Sequence, residues 1–147
     1  MNIRLPKNWF FILLLSGCND GLVDDPIPFV SFAEEIINLS LPQYSSSLGF
    51  DGGTYAINGK GVRGIIVYRL NASTYRAYER NCSFQPNDVC ATIDVHPSRL
   101  FFFDACCNSN FDLADGNPTA GPAFRPLRQY RTQLTGTILT ITDEIIN

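Results

Sequence analysis

Five cysteines hold most of the chemistry this chain could perform: Cys18, Cys82, Cys90, Cys106 and Cys107. A thiol can pair with another thiol, ligate a soft metal or accept an acyl group, and its surroundings decide which. Cys18 closes the stretch Leu15-Ser16-Gly17-Cys18, behind Arg4, Lys7 and an apolar run over residues 9–15. Positive charge, a short apolar run, small residues and then Cys is the order of a bacterial secretion signal ending in a lipid-attachment site. The run is too short to cross a bilayer as a helix. Residues 1–17 are therefore expected to be a cleaved signal peptide, with Cys18 acylated by palmitate-type chains. Several acyl chains on one residue make a stable anchor where a single chain holds only marginally. The expected location is the bacterial cell envelope, with the domain in the periplasm or at the cell surface. That compartment favours disulfides over free thiols. Cys82, Cys90, Cys106 and Cys107 are an even number, and two disulfides among them have three possible pairings.

Other chemistry-bearing residues are isolated. His96 is the only histidine and precedes Pro97 in an apparent turn, without partners for catalysis or metal binding. Asp104 reads as a loop acid satisfied by nearby backbone N–H groups rather than as a metal ligand or a general base. Gly59-Lys60-Gly61 lacks the Ser or Thr and the helix of a phosphate loop, and reads as a turn. No Ser/His/Asp arrangement, carboxylate pair or His cluster is visible, so no enzyme activity is expected. With residues 1–17 removed, 9 of the 11 Lys and Arg remain against 14 acidic residues, a net charge of −5. That balance argues against a nucleic-acid partner and gives no pull toward anionic lipid. Membrane contact is expected through the N-terminal lipid alone, beside an envelope protein partner whose identity the sequence does not show.

The elements that must position these residues read as β. Residues 18–28 are acidic and Pro-containing and look like a tether, leaving residues 29–147 as one domain. Ile37, Leu39 and Leu41 alternate with Asn38 and Ser40, a strand stopped by Pro42. Residues 45–53 are Ser/Gly-rich and read as a loop. Residues 63–70 and 74–79 form a hairpin rich in β-branched and aromatic residues. Residues 91–95 and 99–103 form a second, turned at His96-Pro97-Ser98, and residues 129–134 and 137–142 a third, joined by Thr135-Gly136. In Phe101-Phe102-Phe103 one face must be core. No segment shows sustained helical periodicity. The class is all-β, with short strands in small antiparallel sheets.

Two stretches lie between the hairpins: Asn81-Cys82-Ser83-Phe84, and Asp104-Ala105-Cys106-Cys107-Asn108-Ser109-Asn110-Phe111-Asp112. After the second come Asp115-Gly116, Gly121-Pro122-Ala123 and Arg125-Pro126-Leu127. This run resembles the Rieske family of [2Fe-2S] proteins, in which a Cys-x-His loop and a Cys-x-x-His loop clasp the cluster. The resemblance spans residues 61–142 and implies a Rieske-like stack of small sheets with a two-loop subdomain. The ligands depart from it. Cys82 stands at the first-loop Cys, Phe84 at its His, Asp104 at the second-loop Cys and Cys107 at its His. Phe84 ligates nothing, and Asp104 offers a hard oxygen where the family uses soft sulfur.

The resemblance further implies a Cys90–Cys106 bridge, since some members join the two loops by an extra disulfide. Cys82 and Cys107 are then left at former ligand positions, and a Cys82–Cys107 disulfide replacing the cluster is the expectation, with Cys82–Cys106 and Cys90–Cys107 as the alternative pairing. The functional expectation is a non-catalytic envelope lipoprotein with a binding or structural role and no cofactor. The alternative is an electron-transfer protein with a [2Fe-2S] or altered iron–sulfur centre.

Overall fold

The computed structural model describes residues 25–147, so Cys18, the expected signal peptide and most of the tether lie outside the described residues. The strands are β1 (Glu35–Asn38), β2 (Thr54–Ile57), β3 (Ile65–Asn71), β4 (Thr74–Glu79), β5 (Ile93–Val95), β6 (Phe102–Asp104), β7 (Ser109–Phe111), β8 (Pro118–Ala120), β9 (Gln129–Thr135) and β10 (Ile138–Ile145). They form two antiparallel sheets, a six-stranded one in the order β1-β10-β9-β4-β3-β2 and a four-stranded one in the order β5-β6-β7-β8. The all-β expectation holds. Among the described residues no helix is long and apolar enough to cross a membrane.

The β3–β4 hairpin separates two cores. A strand points successive side chains to opposite faces. Ile65, Val67, Tyr75 and Ala77 face a first core, built with Ile37, Leu139 and Ile141 from the other strands of the large sheet. Ile66 and Tyr78, on the opposite face, enter a second core with Ile93, Phe102 and Phe111 from the small sheet. Both faces of this hairpin are thus buried, which is why residues 65–67 are an unbroken Ile-Ile-Val run rather than an alternating one. Cys82 belongs to the second core.

Some elements differ from the sequence reading. The first strand ends at Asn38, whose side chain accepts a hydrogen bond from Ser40 N at 3.1 Å and closes a turn there. A seven-residue helix, α1 (Pro42–Leu48), occupies part of the expected 45–53 loop. Pro42, read as a strand stop, also suits the first turn of a helix, where its missing N–H is not needed. α1 is made mostly of Gln, Tyr and Ser and buries only Leu48, so no apolar period marks it. β2, β7 and β8 were not expected; they have three or four residues each, too few to display a period.

One buried carboxylate fixes where the first loop leaves the large sheet. Glu79, the last residue of β4, is fully buried. It accepts hydrogen bonds from Val62 N at 2.8 Å, Arg63 N at 3.0 Å, Asn81 N at 3.2 Å and Tyr130 Oη at 2.8 Å. Four donors are what a carboxylate out of water requires. The neighbouring turn is shaped to it. Gly61 has φ +63°, and a Cβ there would lie 2.2 Å from Glu79 Oε2. Glu79→Gln replaces an acceptor oxygen by an amide donor that faces N–H and O–H groups. It is expected to lower unfolding free energy by about 2–4 kcal/mol with little change in the denaturant slope. Urea denaturation followed by circular dichroism measures this, and an unchanged midpoint would remove Glu79 from its anchoring role.

Candidate functional site

Two loops meet at the end of the second core. The first runs from β4 to β5 over residues 80–92. Its base is closed by Cys82 N bonding Ala91 O at 3.1 Å and by an antiparallel bridge between Asn81 and Thr92. Arg63 spans its inside, donating from Nε to Asn81 Oδ1 at 2.6 Å and from Nη1 to Val89 O at 2.7 Å. The second is the tight turn between β6 and β7, where Asp104 pairs with Ser109 and Asn108 N bonds Asp104 O at 2.8 Å. Asn108 takes a left-handed φ of 58°, which Asn tolerates better than most residues. A third segment presses on this turn. Gly121 has φ +85°, and a Cβ there would sit 2.5 Å from Asn108 O. With only hydrogen at that place, Ala123 N reaches Ser109 Oγ at 3.1 Å.

The disulfide Cys90–Cys106 ties the first two loops, with Cα atoms 5.6 Å apart. This is the pairing implied by the resemblance. The expected Cys82–Cys107 bond is not formed in this structure. Cys82 and Cys107 are free thiols with their sulfurs 3.9 Å apart, well beyond the roughly 2.0 Å of a disulfide. Each sulfur is engaged elsewhere. Cys107 Sγ lies 3.0 Å from Ser109 Oγ and 3.4 Å from Asp104 Oδ2, and Cys82 Sγ accepts from Phe84 N at 3.5 Å. The ligand atoms of Cys82, Asp104 and Cys107 all lie within 4.8 Å of one another. Cys82 and Asp104 are buried, whereas Cys107 is partly exposed. Burial, with the nearby Asp104 carboxyl second, pushes the Cys82 thiol well above its ordinary pKa, so in the folded chain it holds its proton at neutral pH.

Asp104 is satisfied as the sequence suggested, its Oδ1 accepting from Cys106 N at 2.7 Å. His96 takes no part in this group: its Nδ1 meets Ser98 Oγ at 2.8 Å and its ring stacks on Phe101, centroids 4.3 Å apart. Phe102 is core while Phe101 and Phe103 are only partly buried, as one-faced packing of that trio requires. Phe84 packs against the second core. Three positioning residues went unassigned in the sequence. Ser109 sits two residues beyond Cys107, Arg63 had been placed inside a strand, and Arg125 Nη2 reaches Ser83 O at 2.8 Å. The Ser109 hydroxyl two residues beyond a thiol was a visible signal. The reach of the two arginines across the chain was not.

The expected tether is partly held by the domain. Arg125 Nη2 also donates to Asp25 O at 2.9 Å, and Arg128 Nη2 donates to Ile27 O at 2.9 Å, with Nη1 on Pro28 O.

The fold and the loops define a class: a two-sheet antiparallel β domain that carries a two-loop knot of two thiols, a carboxylate and a disulfide. No protein-family profile and no curated protein matches the chain. Among solved structures it is similar to the complex of reduced oxygenase and oxidised ferredoxin in carbazole 1,9a-dioxygenase. That match has a TM-score of 0.49 at 17% identity, over 69% of this chain and 91% of the other. It is also similar to the ferredoxin of carbazole 1,9a-dioxygenase from Nocardioides aromaticivorans IC177, with a TM-score of 0.45 at 20% identity, over 79% and 98%. At such identities the ligands must be read from this chain's own residues.

Those residues do not fit a [2Fe-2S] cluster. Such a cluster takes four protein ligands, two on each iron. Among the described residues the grouped donors are three, within 4.8 Å of one another, and Phe84, packed against the same core, is a hydrocarbon that ligates nothing.

The Cys90–Cys106 bridge closes a loop of 16 residues' separation. Replacing both by Ser is expected to cost about 3 kcal/mol of stability, from the added freedom of the unfolded chain. Thermal unfolding of the variant against the unreduced parent reads this directly. A loss near zero would mean that the contacts of Arg63 and Ser83 hold the first loop in place without the bond.

Proposed function

We propose that this chain is a cluster-free Rieske-like domain of the bacterial cell envelope, lipid-anchored at Cys18, with a binding or structural role rather than a catalytic one. The observation that carries this reading is the donor set of the two loops: Cys82, Phe84, Asp104 and Cys107 supply three grouped ligand atoms where a [2Fe-2S] cluster needs four. The two loops are tied instead by Cys90–Cys106, and the first of them is braced by the hydrogen bonds of Arg63 and Arg125. Fold does not carry function once the site residues have changed. The net negative charge, which disfavours a nucleic-acid partner, fits the same reading.

Iron and acid-labile sulfide analysis of the full chain, purified without oxygen, tests it. Neither element is expected at stoichiometric level, and the visible bands of an iron–sulfur cluster are expected to be absent. Two irons and two sulfides per chain would return the electron-transfer alternative.

The lipid anchor has its own readout. Labelled palmitate is expected to enter the chain in growing bacteria and to be lost in Cys18→Ser. Label retained in that variant would move the anchor away from Cys18.

A further inference from the structure

We propose that Cys82, Asp104 and Cys107 form a site for one soft divalent cation of the zinc class. This rests on the cluster-free reading above and extends it to the same two loops. Zinc binds thiolate sulfur at about 2.3 Å and carboxylate oxygen at about 2.1 Å with tetrahedral angles. Those lengths put two ligating sulfurs about 3.8 Å apart and a sulfur and an oxygen about 3.6 Å apart. The structure has 3.9 Å between Cys82 Sγ and Cys107 Sγ, and 3.4 Å between Cys107 Sγ and Asp104 Oδ2. Two of the three edges therefore stand at metal-binding separations, and the third, between Cys82 Sγ and the Asp104 carboxylate, is no longer than 4.8 Å. A disulfide would need the same two sulfurs to close to about 2.0 Å.

The donor types select the ion. Two sulfurs and one carboxylate suit a zinc-class cation, whereas magnesium and calcium take oxygen ligands. Each sulfur also has the outer partner that ligating groups use. Phe84 N–H points to Cys82 Sγ, and the Ser109 hydroxyl lies at Cys107 Sγ, where it can turn to donate to a thiolate. Asp104 is aimed by Cys106 N on its other oxygen, and the disulfide beside it fixes the spacing of the two loops. Partial exposure of Cys107 gives an ion a way in from solvent. On binding, the two S–H bonds break, two metal–sulfur bonds form, and both protons pass to the buffer. No electrons move, and water completes the coordination.

The test is titration of the anaerobically purified, metal-stripped full chain with cobalt(II), then zinc(II). One cobalt per chain is expected, with a thiolate-to-cobalt charge-transfer band and tetrahedral visible bands. Two protons should be released per ion, and zinc should displace the cobalt. Cys82→Ser and Cys107→Ser are expected to lose the charge-transfer band, and Asp104→Asn to weaken binding by at least about tenfold. Asp104→Asn keeps the oxygen that accepts from Cys106 N, so it serves if a Cys82 variant does not fold. Replacing Cys90 and Cys106 together should weaken cobalt binding, because the loops lose their fixed spacing, but leave the charge-transfer band at saturating cobalt, because neither residue is a ligand. No band in a chain whose Cys82 and Cys107 are free to alkylate overturns the site. So does a band indifferent to their substitution, or a native chain in which the two are already joined. Iron with sulfide in the purified chain would instead bring down the cluster-free reading itself, whereas a cluster-free chain that ignores cobalt brings down only the metal site.

Discussion

A single carboxylate with no access to water organises the approach to the loops. Glu79 ends the strand that lies against both cores, and its two oxygens gather N–H groups from residues 62, 63 and 81 and the hydroxyl of Tyr130. Any of these donors left alone inside the protein would cost more than its own bond is worth. The carboxylate thereby couples the turn before β3, the exit of β4 and the face of β9. Arg63 follows directly from that turn, so the same clamp aims the guanidinium that spans the first loop.

From there the geometry of the sulfur pair follows by packing. The central hairpin is apolar on both sides, so Tyr78 and Cys82 are forced into the second core, next to Phe102 and Phe111. The small sheet brings its β6–β7 turn to the same place because Asp104 and Ser109 are paired residues at the end of a ladder. Cys107 and Asp104 are thus displayed by a rigid turn, and Cys82 by a loop closed at its base and bridged near its end. The thiols meet because two independently braced elements end at one spot.

Much of this was legible in the chain. Three hairpins came from β-branched and aromatic content and turn residues, and the β3–β4 pair falls nearly where its Val/Ile/Tyr content put it. β2, β7 and β8 were hidden because a period cannot show in so short a span. α1 was hidden because Pro, Tyr and Ser make up most of it and it buries one side chain. At the site, the residue types and the Cys90–Cys106 pairing were legible through the family resemblance. Whether Cys82 and Cys107 bond was not: it depends on the competing partners Ser109 and Asp104, which only three-dimensional placement reveals. The role of Glu79 had no sequence signal, because its donors are backbone groups and a tyrosine far along the chain.

The Arg125 guanidinium holds the carbonyl of Asp25 and, on the same nitrogen, the carbonyl of Ser83. Ser83 is the residue next to Cys82, and its own hydroxyl bonds Arg125 O at 2.6 Å. A force applied to the chain ahead of Asp25 is therefore borne first by this arginine, and through it by the loop that displays the buried thiol. Arg128, gripping Ile27 and Pro28, shares the load one step along the chain. The leading segment and the sulfur loop are in this sense one mechanical unit: tension on the first is felt as strain at the second.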